Sequence, residues 1–160
     1  MMTNKEIGSA VKGELKEAGY SSKTCSVSVR DCGYSTMIRV KVKSPYVNRA
    51  EIEKLLNHWR DVDVDERTQE TLMGGNTYLL VEYEHDVFSE VAKEWTAFAD
   101  ILLERKEETV KIYDSLYLIK SGNSLVIRQC DEKVHVTREC SYDTLCIYLF
   151  KYNQFGTILT

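Results

Sequence analysis

Ile38, Val40 and Val42 alternate with Arg39, Lys41 and Lys43, and no other stretch constrains the fold as tightly. Successive side chains of a β-strand point to opposite faces, so this strand has one apolar face and one basic face. The run before it, Cys25 to Arg30, alternates in the same way, and Asp31-Cys32-Gly33 turns the chain between them. The two predict a β-hairpin. Pro45, the sole proline, ends the second strand.

Helical periodicity brackets this hairpin. Ile7, Val11 and Leu15 recur at four-residue spacing over Lys5 to Glu17, and Gly19 supplies the stop. A second helix opens at Asn48, whose side chain caps while Glu51 reaches back as an approximate capping box. Its apolar stripe is Ile52, Leu55, Leu56 and Trp59. An acidic connection from Asp61 runs through Gly74-Gly75 into a strand over Thr77 to Glu84. On it Thr77, Leu79, Val81 and Tyr83 face one way, and Tyr78, Leu80, Glu82 and Glu84 the other. A long third helix capped by Asp86 is expected to carry Phe88, Val91, Trp95, Phe98, Ala99 and Leu102.

Beyond Glu107 the texture changes to short strands: Val110 to Tyr113, Leu116 to Lys120, Leu125 to Gln129, Val134 to Thr137 and Thr144 to Lys151, with a turn at Ser121-Gly122-Asn123. They read as an antiparallel β-meander. The last, Leu145 to Phe150, is apolar on both faces and is expected to be a buried central strand or a homo-oligomer contact. The fold class is therefore α+β, with helices packed on a mainly antiparallel sheet and a C-terminal β-meander. The expected division is a module over residues 1–106 and the meander over 107–160, the meander either extending the first sheet or forming a second layer.

A chain of 160 residues with 43% hydrophobic content hides roughly 70% of its unfolded surface and has room for a sizeable core. No apolar run approaches the roughly 18 residues of a membrane span, and none follows the N-terminal residues Met1 to Glu6. Five cysteines, odd in number and without a C-x-x-C pair, argue against a disulfide scaffold or a zinc ribbon. The expectation is a soluble protein in a reducing, cytoplasmic setting.

Charge is unevenly distributed. Residues 1–60 carry 11 Lys and Arg against 6 Asp and Glu, residues 61–108 carry 4 against 14, and residues 109–160 carry 6 against 5. The central segment is thus at −10 and the first at +5. Such asymmetry marks an interaction surface, or segments that pair with each other in the fold.

Leu15 to Tyr20, Cys32-Gly33-Tyr34-Ser35-Thr36 with the strand Ile38 to Val42, Asp65-Glu66-Arg67-Thr68, and Gly74-Gly75-Asn76-Thr77-Tyr78 together resemble one of the large polyvalent protein-associated domains, the twenty-ninth of that series. The resemblance covers about residues 3–100. Such domains occur in phage, plasmid and conjugative-element proteins, often fused to unrelated enzymes, and bring no established catalytic residues. The resemblance implies a mobile-element context in the cytoplasm of a bacterial host. One departure is Gln69, where a turn glycine is common.

Several constellations were weighed for chemistry. Asp61, Asp63 and Asp65 mimic the first half of a calcium loop, yet Glu66 stands at the glycine position and Leu72 at the bidentate acid, so a solvated acidic loop is the better reading. Cys130, His135, Cys140 and Cys146 have no standard zinc spacing. Cys32, with His58 or His85 as base and Asn76 or an aspartate as orienter, would make a cysteine hydrolase, but a hairpin turn is not the helix-start setting that activates a thiol. Gly74-Gly75 fits no phosphate-loop pattern. No catalytic residue, metal or cofactor is assigned.

Two surfaces remain. Arg30, Arg39, Lys41 and Lys43, with Tyr34 and Tyr46 beside them, suit phosphates and stacked bases, the footprint of a nucleic-acid-binding accessory module. Glu82 and Glu84 on the next strand can consume that charge by cross-strand pairing. Asp61, Asp63, Asp65, Glu66, Glu82, Glu84, Glu90 and Glu94 form the opposite surface, able to imitate a nucleic-acid backbone and occupy a basic groove. Small acidic phage proteins include inhibitors of CRISPR nucleases. The leading expectation is accordingly a non-enzymatic, anti-CRISPR-like inhibitor of a host defence nuclease or its guide-RNA nucleoprotein complex. Nucleic-acid binding is the alternative.

Overall fold

The computed structural model describes residues 1–72 and 74–160; residue 73, in the acidic connection, lies outside them. The chain is α+β and divides into two compact units, Met1–Val87 and Phe88–Thr160. Residues 88–106, grouped by sequence with the first module, pack instead with the C-terminal strands: Ala99 and Leu102 share a core with Val110, Leu116, Leu118 and Ile127.

The first unit runs α1 (Asn4–Glu17), β1 (Cys25–Cys32), β2 (Ser35–Val42), α2 (Arg49–Leu56), a single 3₁₀ turn (Asn57–Trp59) and β3 (Thr77–Tyr83). Helix α1 begins at Thr3, whose hydroxyl accepts from Glu6 N while the Glu6 carboxylate accepts from Thr3 N, a full capping box. Asn48 caps α2 through Ala50 N. The expected box with Glu51 does not form, because that carboxylate accepts from the Tyr20 hydroxyl at 3.4 Å. The hairpin turn is Gly33-Tyr34, one residue later than expected, and Gly33 at φ +65° supplies the first central position of a type II′ turn.

The three strands are ordered β1-β2-β3, antiparallel between the first two and parallel between the last two. Parallel neighbours need a crossover, and α2 provides it. Ile38, Val40, Val42, Leu79 and Val81 bury their side chains against Val11 and Leu15 of α1 and Ile52 and Leu56 of α2. Tyr83, which alternation placed with Leu79 and Val81, packs against this core at the end of β3.

The second unit contains α3 (Ser89–Lys93), α4 (Thr96–Glu104), four strands β4 (Thr109–Tyr113), β5 (Leu116–Ser121), β6 (Ser124–Cys130) and β7 (His135–Cys140), and α5 (Tyr142–Phe155). The four strands are sequential antiparallel neighbours in a sheet separate from the first. Two expectations are corrected here. The long third helix is two short ones, because the Thr96 hydroxyl donates to the Lys93 carbonyl and Glu94 N bonds back only three residues to Val91. Asp86 sits at φ +60° before Phe88 and does not cap it.

The second correction concerns Thr144 to Lys151, which is helix and not strand. Ser141 caps α5 through Thr144 N, and Gly156 ends it at φ +72°. Leu145, Cys146, Leu149 and Phe150 are buried in the core of the unit, which removes them as an exposed subunit contact. Tyr142 donates to the Asp100 carboxylate at 2.7 Å, tying α5 to α4, and that hydrogen bond raises the phenol to about 12. Among the described residues no helix is long and apolar enough to cross a membrane.

Gln69 adopts φ +60°, the left-handed conformation in which glycine is at home. Gln69→Gly is therefore expected to raise stability by about 0.5–1 kcal/mol, despite losing the side-chain bond to the Glu66 carbonyl, as a higher urea midpoint at unchanged slope.

Candidate nucleic-acid interface

Helices α1 and α2 both pack on one face of the three-stranded sheet. The opposite face follows from the register: rows Arg30-Met37-Tyr78, Ser28-Arg39-Leu80 and Ser26-Lys41-Glu82 cross the three strands. Within this unit no helix covers these rows among the described residues. Arg30, Ser28 and Lys41 are exposed, and Leu80 is at its margin with 36% exposure.

The sequence placed Arg30, Arg39, Lys41, Lys43 and Tyr34 together, and the structure puts all five on or beside this face. Their partners differ. Arg39 Nε lies 3.5 Å from Glu82 Oε1, an ion-pair distance without an aligned hydrogen bond, and both side chains are about one-third exposed. Such a pair contributes about 0–1 kcal/mol. Lys43 Nζ is 3.5 Å from the Ser22 carbonyl. Arg30 and Lys41 have no ion pair among the described residues.

The two glycine-bearing segments converge at one end of the face. Gly75 N donates to the Tyr34 carbonyl at 2.8 Å and Thr36 N to the Asn76 carbonyl at 2.8 Å. Gly74 and Gly75 have φ of +89° and +72°, and a Cβ at Gly74 would meet Tyr34 Cβ at 3.5 Å. Between them lies an open groove of about 700 Å³, walled by Tyr34, Met37, Leu72 and Tyr78 and floored by the hairpin turn. Tyr34 is 88% exposed.

Asn76 holds this end together, a role the sequence did not give it, having weighed it only as the orienting group of a cysteine hydrolase. It is 2% exposed: its carbonyl oxygen accepts from Asp63 N at 2.8 Å, and its amide donates to the Leu72 carbonyl at 2.7 Å and the Tyr78 hydroxyl at 3.2 Å. The signal was present in Gly-Gly-Asn-Thr-Tyr, a polar side chain at a strand entrance. Only the return of the loop shows what it binds.

That loop carries the acidic candidates. Asp61 exchanges both backbone hydrogen bonds with Thr77, and Val64 bridges Thr71. Asp65 accepts from Arg67 N and Thr68 N, and these bonds lower its pKa. Asp61, Asp63 and Glu66 are exposed, and Asp65 is half-buried in its own turn. Glu82 is turned to Arg39 and Glu84 is exposed past β3. Glu90, paired with Lys93 at 3.1 Å, and Glu94 belong to the second unit. The acidic set is thus divided between units.

The proposed cysteine constellation is not assembled. Cys32 lines the groove beside Tyr34, whereas His58 lines a different cavity and holds Glu14 Oε2 at 2.7 Å. Asn76 spends its side chain on the loop, and His85 pairs with Asp86 on the surface. Burial raises the Cys25 and Cys146 thiols and lifts Cys140 to about 11, the environment of packed rather than reactive cysteines. Among the described residues no group of three His, Cys, Asp or Glu is placed to hold a metal ion. Neither a family model, nor a curated protein, nor a solved structure matches this chain.

Proposed function

We propose that the uncovered face of the first unit binds single-stranded nucleic acid, as an accessory module of a mobile genetic element and without catalysis of its own. The observation that carries this reading is the juxtaposition of the Tyr34–Tyr78 groove with the row Arg30-Met37-Tyr78. An exposed aromatic ring offers a stacking platform for an unpaired base, and the adjoining cations track the phosphates. Arg30 and Lys41 supply the charge, while Glu82 tempers Arg39. The resemblance to polyvalent-protein-associated domains gives the mobile-element setting.

Anisotropy of a fluorescein-labelled single-stranded oligonucleotide, titrated at low and moderate salt, tests it. Tyr34→Ala is expected to weaken binding about tenfold, since base stacking contributes about 1–3 kcal/mol per base. Arg30→Ala with Lys41→Ala should flatten the salt dependence. Absence of binding at low salt, or variants that bind like the parent, would reject the proposal.

A second reading rests on the loop 61–72, where Asp61, Asp63 and Glu66 stand exposed on a backbone held by Asn76 and the Asp65 turn. An ordered acidic loop suits the basic groove of a host defence nuclease or its guide-RNA complex, as an anti-CRISPR-like inhibitor requires. Cleavage by such nucleases, unchanged in the presence of the protein and with no complex recovered by pull-down, would dismiss this reading.

A further inference from the structure

Among the described residues, strand β1 has a neighbour on one side only. Lys43 N donates to the Thr24 carbonyl, and the two-residue turn pairs Cys32 with Ser35, so the even-numbered residues of β1 direct their backbone groups to β2. Val27, Val29 and Asp31 therefore direct N–H and C=O outward, along a free edge. Helix α1 lies beside this edge: Asn4 Nδ2 bonds Asp31 Oδ1 at 3.0 Å, and a Cβ on Gly8 would sit 3.6 Å from Val29 Cγ2.

At the other end of β1 the helix and the strand enclose a cavity of about 460 Å³. Leu15, Cys25 and Val27 form its apolar part, Lys12, Lys16 and Lys43 its rim, with four hydroxyl side chains and no carboxylate among the described lining residues. Glu14 of α1 is committed to His58 and Trp59, and Glu51 to the Tyr20 hydroxyl. Edge strands invite pairing with another chain, and three cations around the entrance select its sign.

We infer that the free edge of β1 accepts an extended acidic segment of a partner protein as a further strand, its backbone on Val27 and Val29 and its carboxylates on Lys12, Lys16 and Lys43. Backbone hydrogen bonds supply register and the lysines supply selectivity. Among the described residues the cavity shares no lining residue with the Tyr34 groove, but Lys43 borders the basic face as well, so the test varies Lys12 and Lys16 of α1, which belong to the helix-covered side of the sheet.

The experiment titrates the full chain with fluorescein-labelled peptides of alternating glutamate and valine or alternating lysine and valine, and follows amide exchange by NMR. The acidic peptide is expected to bind at least about tenfold more tightly than the basic one. It should slow exchange at Val27, Val29 and Asp31. Lys12→Glu with Lys16→Glu, both exposed and checked for native circular dichroism, should erase the preference. Equal binding of both peptides overturns the inference. So does acidic binding without protection of those three amides, which would make the site a patch for any anion. Displacement of the peptide by decanoate alone would make it a small-anion cavity, and protection that grows with protein concentration in the absence of peptide would make it a self-association edge.

Discussion

Replacing Leu149 by alanine is expected to destabilise the C-terminal unit by about 2–5 kcal/mol, much of the stability a domain of this size holds. Leu149 is fully buried on α5 and shares its core with Leu116, Leu118, Ile127 and Leu145. Truncation forfeits the transfer free energy of the removed carbons and leaves a cavity that a strand-and-helix layer closes only in part. Ile147, on the half-buried side of the same helix, should cost clearly less as Ile147→Ala, and the exposed Gln154→Ala should stay within about 0.5 kcal/mol. Urea unfolding of the three variants measures this order. A strand would place residues 145, 147 and 149 on one face, so equal losses at Ile147 and Leu149 would contradict the helical assignment.

Asn76→Ala should cost the first unit about 2–4 kcal/mol, because it leaves the Asp63 N–H and the Leu72 carbonyl without their partner and releases the Tyr78 hydroxyl. The loss is local in origin. Thr71, Leu72 and Gly74 wall the groove beside Tyr34, so a loosened loop removes that wall. Two readouts should move together: faster amide exchange at Asp63 and weaker oligonucleotide binding. Asn76→Asp keeps the acceptor for Asp63 N and loses the amide donors, so it should fall between Asn76 and Ala in stability. Slow exchange at Asp63 in Asn76→Ala would show that the loop is held by its backbone bridges to Thr77 and Thr71 alone.

Much of the first unit was legible because its signals are local. Ile7, Val11 and Leu15 recur at helical spacing before Gly19, Asn48 is a good cap in front of a periodic run, and the alternation of Ile38, Val40 and Val42 with Arg39, Lys41 and Lys43 reads directly as two faces. Leu145 to Phe150 was misread because a short run that is apolar at every position satisfies period 2 and period 3.6 alike. Its decisive marks, Ser141 before it and Gly156 after it, lie outside the run. The split between α3 and α4 turns on one hydroxyl, Thr96, competing for a main-chain carbonyl, which helical spacing does not register.

The candidate site shows the same division. Arg30, Arg39, Lys41 and Tyr34 could be named as a basic, aromatic face because strand parity and a turn place them there. The pairing of Arg39 with Glu82 was anticipated in kind, but its geometry depends on the parallel register that sets Lys41, not Arg39, directly opposite Glu82. By itself, the sequence determined which residues of β2 and β3 face the core and where the first two helices lie, since these follow from side-chain direction and from hydrogen bonds a few residues long. Only the tertiary structure decided that the strands form two sheets, that the last apolar run is a helix, and that Asn76 binds Asp63 and Leu72 beside the Tyr34 groove. Those outcomes rest on contacts between segments distant along the chain, whose partners are chosen by packing and by the need to satisfy buried polar groups.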